Sequence, residues 1–151
     1  MKKNTFIANV IVWAVLAVAS IGFLIWGQAV GNDFGDNTAL LAAAVYARPV
    51  AAFSVGALVT TVLVKFFGLK LGRGARITWR VLGIVPTVLF AFSPLAIPLL
   101  PDTVATVFAV VLLVAIAVPV LFVLLGVFYG LSLAGEKEPV DDRADVRPDR
   151  V

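Results

Sequence analysis

Long apolar segments alternate with short polar breaks along this chain as far as about residue 135. Four of these segments reach about twenty residues, which is the length that an α-helix needs to cross a hydrocarbon core of about 30 Å. The pattern therefore predicts an all-α fold, an integral membrane bundle of four transmembrane helices. The predicted spans cover about residues 6–30, 49–69, 81–100 and 104–131.

A shorter apolar piece, residues 38–47, precedes the second span and is too short to cross a membrane alone. Arg48-Pro49 follows it, and the residue before a proline is biased away from helical geometry. A charge at the bilayer centre also costs about 3 kcal/mol. We therefore predict an interfacial helical segment 38–47 and a break near Arg48. The alternative is one long helix from 38 to 69, which carries Arg48 into the apolar slab unless the helix protrudes.

Lysine and arginine are distributed unequally between the two ends of the predicted spans. If the N-terminus is inside, all twelve of these residues except Arg48 lie on the inner side. By the positive-inside rule, both termini are then cytoplasmic. The basic residues at the inner end of span two and in the connection to span three are Lys65, Lys70, Arg73, Arg76 and Arg80. We interpret them as a topology signal, with binding of anionic lipid headgroups as the alternative.

Composition agrees with lipid as the solvent, since 62% of residues are hydrophobic and 14% are charged. Soluble domains are about half apolar and about a quarter charged. Cysteine and histidine are absent, so the commonest zinc ligands and the usual activator of a nucleophilic serine are missing. No Asp or Glu lies inside a predicted span, which argues against export coupled to a buried carboxylate. The sequence predicts no catalytic residue, no metal site and no cofactor.

Prolines interrupt the third and fourth spans, and Pro86, Pro94 and Pro119 are the candidate hinges. Each removes one helical hydrogen bond and frees the carbonyl four residues earlier. Thr87 and Ser93 lie close enough in sequence to bond such carbonyls. We interpret these prolines as static kinks, and a hinge or a ligand site at a broken helix is the alternative.

Small residues recur at a spacing of four on two of the spans. Such faces let helix backbones approach closely in a membrane, where no hydrophobic force separates lipid from protein. We interpret them as packing faces within the bundle, with a docking face for another subunit as the alternative. They are Ala52, Gly56 and Thr60 on span two, and Gly126 and Gly130 on span four.

The chain divides into two parts by composition. Residues 1–135 form the predicted transmembrane domain, and residues 136–151 form a charged segment with almost no apolar content. A segment of that kind cannot bury enough apolar surface to fold. We therefore predict a disordered cytoplasmic tail.

Two stretches of sequence resemble small four-span actinobacterial membrane proteins of unknown function. They are Gly-Arg-Gly-Ala-Arg-Ile-Thr-Trp-Arg at 72–80 and Phe-Ser-Pro-Leu at 92–95. Spans rich in alanine and valine fit the same high-GC source. The resemblance covers about a third of the chain and implies a four-span topology in a bacterial cell membrane, but no activity.

Two functional hypotheses follow from these patterns. The first is a non-catalytic accessory or scaffold subunit that acts through helix packing. Its partners are membrane lipids and another membrane protein or a second copy of itself, and a nucleic-acid partner is not predicted. The alternative is a small oligomeric transporter or channel component for a neutral or apolar solute, working around the kinked third and fourth spans.

Overall fold

The computed structural model describes residues 3–31, 37–96 and 99–137, and nearly all of them are helical. The prediction of an all-α fold is therefore confirmed. Three helices are long and apolar enough to cross a membrane, or four if the bent pair α4 and α5 counts as one span. The elements are α1 (Lys3–Ala29), α2 (Thr38–Phe66), β1 (Lys70–Leu71), α3 (Arg73–Ala96), α4 (Asp102–Ala117), α5 (Pro119–Ser132) and β2 (Gly135–Glu136).

Helix α2 runs through Arg48 and Pro49 without a break, so the predicted interfacial segment 38–47 and the separate second span are wrong. Its 29 residues extend about 43 Å, whereas a hydrocarbon core is about 30 Å thick. If Lys65 lies at one interface, Arg48 is only about one turn inside the other, and its long side chain can reach the headgroups. The length of α2 therefore removes the charge penalty that favoured a break.

The start of α2 is fixed by Asn37. Its side-chain oxygen accepts hydrogen bonds from the backbone N–H groups of Ala39 at 3.1 Å and Leu40 at 3.2 Å. These bonds satisfy two of the donors that a helix N-terminus leaves open. Since adding a residue to a formed turn is far easier than nucleating one, the helix continues through Pro49, although the proline disfavours helical geometry at Arg48 and removes one backbone hydrogen bond.

The predicted fourth span, 104–131, consists of two helices, α4 and α5, so the prediction of one continuous helix is wrong, whereas the bent pair can still count as one span. Val118 leaves helical geometry with φ −108° and ψ 81°, and α5 begins at Pro119. The axes of α4 and α5 differ by 79°. A proline disfavours the helical conformation of the residue before it but fits the first position of a new helix. Pro119 is thus a helix start and not a kink.

Helix α3 continues through both of its prolines. The Ser93 hydroxyl donates to the carbonyl of Phe90 at 2.6 Å, which is the carbonyl that Pro94 leaves without its usual backbone donor. This confirms the predicted role of Ser93. The Thr87 hydroxyl donates to the carbonyl of Gly83 at 2.7 Å and not to that of Leu82. The carbonyl of Leu82 is the one that Pro86 frees, so the predicted role of Thr87 is wrong.

Helices α2 and α5 form the centre of the bundle, with α1 packed against α2 and α3 packed against α5. The two central helices run parallel. Phe53 of α2 lies against Gly126 of α5, and Thr60, which comes later in α2, lies against Gly130, which comes later in α5. Both flanking helices run in the opposite direction. The buried centre consists of Phe53, Ala57, Phe122 and Leu125.

Strands β1 and β2 pair in parallel directly after the two central helices. The backbone N–H of Gly135 donates to Leu69 at 2.9 Å, and that of Lys137 donates to Leu71 at 3.1 Å. The predicted tail, 136–151, therefore begins with two residues that the fold holds in place. The rest of that segment lies outside the described residues.

Candidate functional site

The basic residues predicted at the inner ends of the spans lie together at one end of the bundle, which we call the basic end. Lys65 is in the last turn of α2, Lys70 is in β1, and the three arginines are in the first turns of α3. Only one of these side chains has an acidic partner among the described residues. The members of the basic end are Lys65, Lys70, Arg73, Arg76 and Arg80.

Arg76 is the residue of this group that has an acidic partner. One of its terminal nitrogens lies 3.3 Å from a carboxylate oxygen of Glu136, and both side chains are partly exposed. Exposed pairs of this kind contribute at most about 1 kcal/mol. The pair ties the start of α3 to β2, while Arg80 stays exposed one turn further along the helix.

Two of the predicted small residues, Gly56 and Gly126, lie where α2 and α5 approach each other most closely. A Cβ atom on Gly56 would collide with the carbonyl oxygen of Val123. A Cβ atom on Gly126 would collide with the carbonyl oxygen of Phe53 in the same way. Backbone atoms cannot rotate out of the way, so only glycine fits at these two positions.

The remaining small residues extend the same contact. A Cβ atom on Gly130 would lie 2.6 Å from the Cβ atom of Thr60. Ala52 packs against the buried centre of the bundle. The small-residue faces of the two spans therefore meet each other inside the molecule, which supports packing within the bundle rather than docking of a second subunit.

The three candidate hinges occupy different places. Pro86 and Pro94 lie inside the continuous helix α3, whereas Pro119 begins α5 beside the non-helical Val118. Only the last of these positions separates two helices. Of the three candidate hinges, Pro119 is therefore the one that lies at the bend between α4 and α5.

A cavity of about 380 Å³ lies between α1 and α3, with α2 and α5 as its floor. We call it the apolar groove. It is lined by residues of α1, α2, α3 and α5, and α1 and α3 share no extensive contact along the described residues. The groove is therefore open sideways, towards the surroundings of the bundle. Its aromatic walls include Trp13, Phe53, Phe90, Phe122 and Tyr129.

Contacts between these rings hold the walls of the groove in place. The ring centres of Trp13 lie 5.2 Å from those of both Phe53 and Tyr129. The ring centres of Phe90 and Phe122 are 4.6 Å apart in an edge-to-face arrangement. Aromatic pairs at such distances add about 1 kcal/mol each beyond simple burial. The rings thus tie each flanking helix to the floor and leave the space between them open.

Hydrogen bonds between helices mark the two ends of the groove. At the end nearer the basic end, the Tyr129 hydroxyl donates to the side-chain oxygen of Asn9 at 2.7 Å. At the other end, the Tyr46 hydroxyl donates to the carbonyl of Ala91 at 3.4 Å. Each end of the groove therefore lies beside a hydrogen-bonded polar group, while the lining itself is apolar.

The surface inside the groove offers only apolar contact. The hydroxyl of Ser54 and the indole nitrogen of Trp13 belong to lining residues, but both atoms are buried behind the surface and have no hydrogen-bond partner among the described residues. No three His, Cys, Asp or Glu side chains come together in the ranges that the structure describes. The arrangement can hold an apolar molecule by shape, and it presents no acid, base or metal ligand to it.

Asn9 and Trp13 were not singled out from the sequence, and Tyr129 was interpreted only as an aromatic residue near the inner interface. Asn9 is separated from Tyr129 by 120 positions, so no local pattern connects them. The available signal was the presence of an amide, Asn9, among the apolar residues in the first half of the first span. A polar side chain at membrane depth needs a partner, which would have marked Asn9 as a residue that faces another helix.

These features define an all-α protein with three helices, or four counting the bent pair, that are long and apolar enough to span a membrane. Such helices are compatible with a membrane location. No protein-family model, curated protein or solved structure matches the chain. The resemblance to small actinobacterial four-span proteins therefore stays a prediction.

Proposed function

We propose that the chain is a multi-pass integral membrane protein of a bacterial cell membrane, and that its role is non-catalytic. The observation that carries the proposal is the apolar outer surface of the bundle. Val18 on α1 is 72% exposed, Leu89 on α3 is 66% exposed, and Leu113 on α4 is 69% exposed. Soluble proteins rarely expose contiguous apolar patches of more than a few hundred Å². Acyl chains cover such a surface without cost.

The directions of the helices support four membrane crossings with both termini in the cytoplasm. Since α1 and α3 run against α2 and α5, the described chain begins and ends on the same side of the bundle. The basic end lies on that side too. Lysine and arginine favour the cytoplasmic face of a membrane protein, so this side is the one that we assign to the cytoplasm.

Within the membrane we propose an accessory or scaffold role. The buried hydroxyls of Ser93 and Ser132 each donate at 2.6 Å to a carbonyl of their own helix, which is a structural use of the hydroxyl group. Because α2 and α5 use their small residues on each other, a partner would meet the outward faces of α1 and α3. That partner is another membrane protein or a second copy of the chain.

Single cysteines test the topology, because the natural sequence contains none. With a membrane-impermeant thiol reagent, we expect Asp102→Cys to react in intact cells. Lys70→Cys, at the basic end, should react only after the cells are permeabilised. The unchanged chain is the control for background labelling. Reaction of both cysteines in intact cells, or recovery of the chain without detergent, would overturn the proposal.

A small transporter or channel component for a neutral or apolar solute is the second candidate, and the 79° bend between α4 and α5 favours it. Reconstituted vesicles separate the two roles. An accessory protein should leave the leakage of a small neutral solute at the level of empty vesicles. A transporter should raise that flux, and Pro119→Ala should then change the rate by joining α4 to α5. A flux that depends on Pro119 would replace the accessory proposal.

A further inference from the structure

The apolar groove is large enough for a linear hydrocarbon chain. A dry cavity of about 150 Å³ holds a benzene molecule, and this groove encloses about 380 Å³. A bound water needs two to four polar partners, and the surface of the groove exposes none. An apolar molecule that enters sideways from the bilayer is the occupant that fits this surface.

One cation lies in line with the groove. Ile84 and Val88 line the α3 wall, and Arg80 precedes Ile84 by four residues. Residues four apart share one face of a helix, so Arg80 lies on the same face about 6 Å nearer the basic end. Long side chains of a helix also point towards its N-terminus. The guanidinium group of Arg80 is therefore directed to the membrane surface below the groove.

The guanidinium group of Arg80 is accessible to a ligand. It is exposed, and among the described residues it forms no ion pair or hydrogen bond. The Asn9–Tyr129 hydrogen bond lies at the same end of the groove and adds an amide and a phenol. An apolar channel that ends beside an amide and an unpaired arginine is complementary to a molecule with a hydrocarbon tail and an anionic head.

We propose that the groove binds one acyl chain of an anionic glycerophospholipid from the leaflet at the basic end, with its phosphate on Arg80. The inference rests on the proposed membrane insertion and names a ligand of that same bundle. An arginine offers two parallel donors to a phosphate and keeps its charge at any relevant pH. The glycerol backbone then covers the turn between Arg80 and Ile84.

The headgroup part of the proposal is tested with the full-length protein in nanodiscs that contain equal amounts of phosphatidylglycerol and phosphatidylcholine. After extraction into mild detergent, native mass spectrometry measures the lipid that stays bound. We expect phosphatidylglycerol to exceed phosphatidylcholine about fivefold, which is the effect of one cation at a membrane surface. Arg80→Gln should remove this preference. Arg73→Gln makes the same charge change about 10 Å further from the groove and should keep it.

The acyl-chain part is tested by filling the groove. Val88→Trp places a large ring in it, whereas Leu89→Trp changes the next residue, which faces outward and is 66% exposed. We expect Val88→Trp to lower the retention of both lipids and Leu89→Trp to leave it unchanged. A thermal unfolding curve checks that both variants fold.

Each alternative outcome would overturn one part of the proposal, either the acyl-chain site or the headgroup contact. Equal retention by the two tryptophan variants would remove the groove as the chain site. If Arg80→Gln and Arg73→Gln lower the preference for phosphatidylglycerol equally, that preference arises from the overall charge of the basic end and not from a contact with Arg80. Cysteine labelling reports membrane insertion independently, so that the lipid site can fail while the proposed topology stands.

Discussion

Replacing Gly126 by alanine is expected to lower the free energy of unfolding by about 2–3 kcal/mol, the upper range for an overpacked core. The added methyl group would collide with the carbonyl oxygen of Phe53 and lie 2.8 Å from the backbone nitrogen of Ala57. Since both are backbone atoms of α2, the clash is relieved only if the two central helices move apart. The loss should appear in reversible unfolding of the full-length protein in detergent micelles.

Gly22→Ala is the matched control for that variant. Gly22 lies in α1, and a Cβ atom there would meet nothing within 4 Å. Alanine favours a helix over glycine by about 0.8 kcal/mol, so this variant should be as stable as the natural chain or slightly more stable. If the two alanine variants unfold alike, α2 and α5 do not approach as closely as described.

Phe122→Ala is expected to cost about 2 kcal/mol of unfolding free energy. Phe122 is 2% exposed and lies in the buried centre, with the ring of Phe90 at 4.6 Å. In soluble proteins a buried Phe→Ala change costs about 3–5 kcal/mol, which includes transfer from water and the empty cavity. Inside a bilayer the unfolded reference is already in lipid, so mainly the lost packing remains.

Phe92→Ala provides the comparison for the second variant. Phe92 lies in α3 and is 61% exposed. Acyl chains replace its contacts after truncation, so its stability should change by less than about 0.5 kcal/mol. The same unfolding measurement applies to both variants. Equal losses at the two positions would mean that Phe122 is not enclosed by its neighbours, and the assignment of the buried centre would be wrong.

The features that could be predicted from sequence are those set by local composition. Apolar runs of sufficient length predicted the helices, and the bond between Ser93 and Phe90 followed from the donor that Pro94 lacks. The spacing of small residues marked the faces that meet at Gly56 and Gly126. Each of these inferences uses residues within a few positions of one another, where helix geometry fixes the relative placement.

The features that could not be predicted depend on the whole fold. The bias of Pro49 on its predecessor suggested a break, but the cap at Asn37 and the length of α2 outweighed it. The same bias at Pro119 did end a helix. The apolar groove joins four helices, and its polar end depends on a contact between Asn9 and Tyr129. Periodicity within one span contains no information about which helix lies opposite.

The parallel central pair has a consequence for the order of biosynthesis. Thr60 on α2 and Gly130 on α5 meet in the finished protein, yet seventy residues of synthesis separate them. At about 5–20 residues per second, the first hairpin leaves the ribosome several seconds before the last helix arrives. Throughout that interval the face of α2 that carries Gly56 has no partner from α5, so under the proposed membrane insertion α1 and α2 wait in the bilayer as an unfinished half.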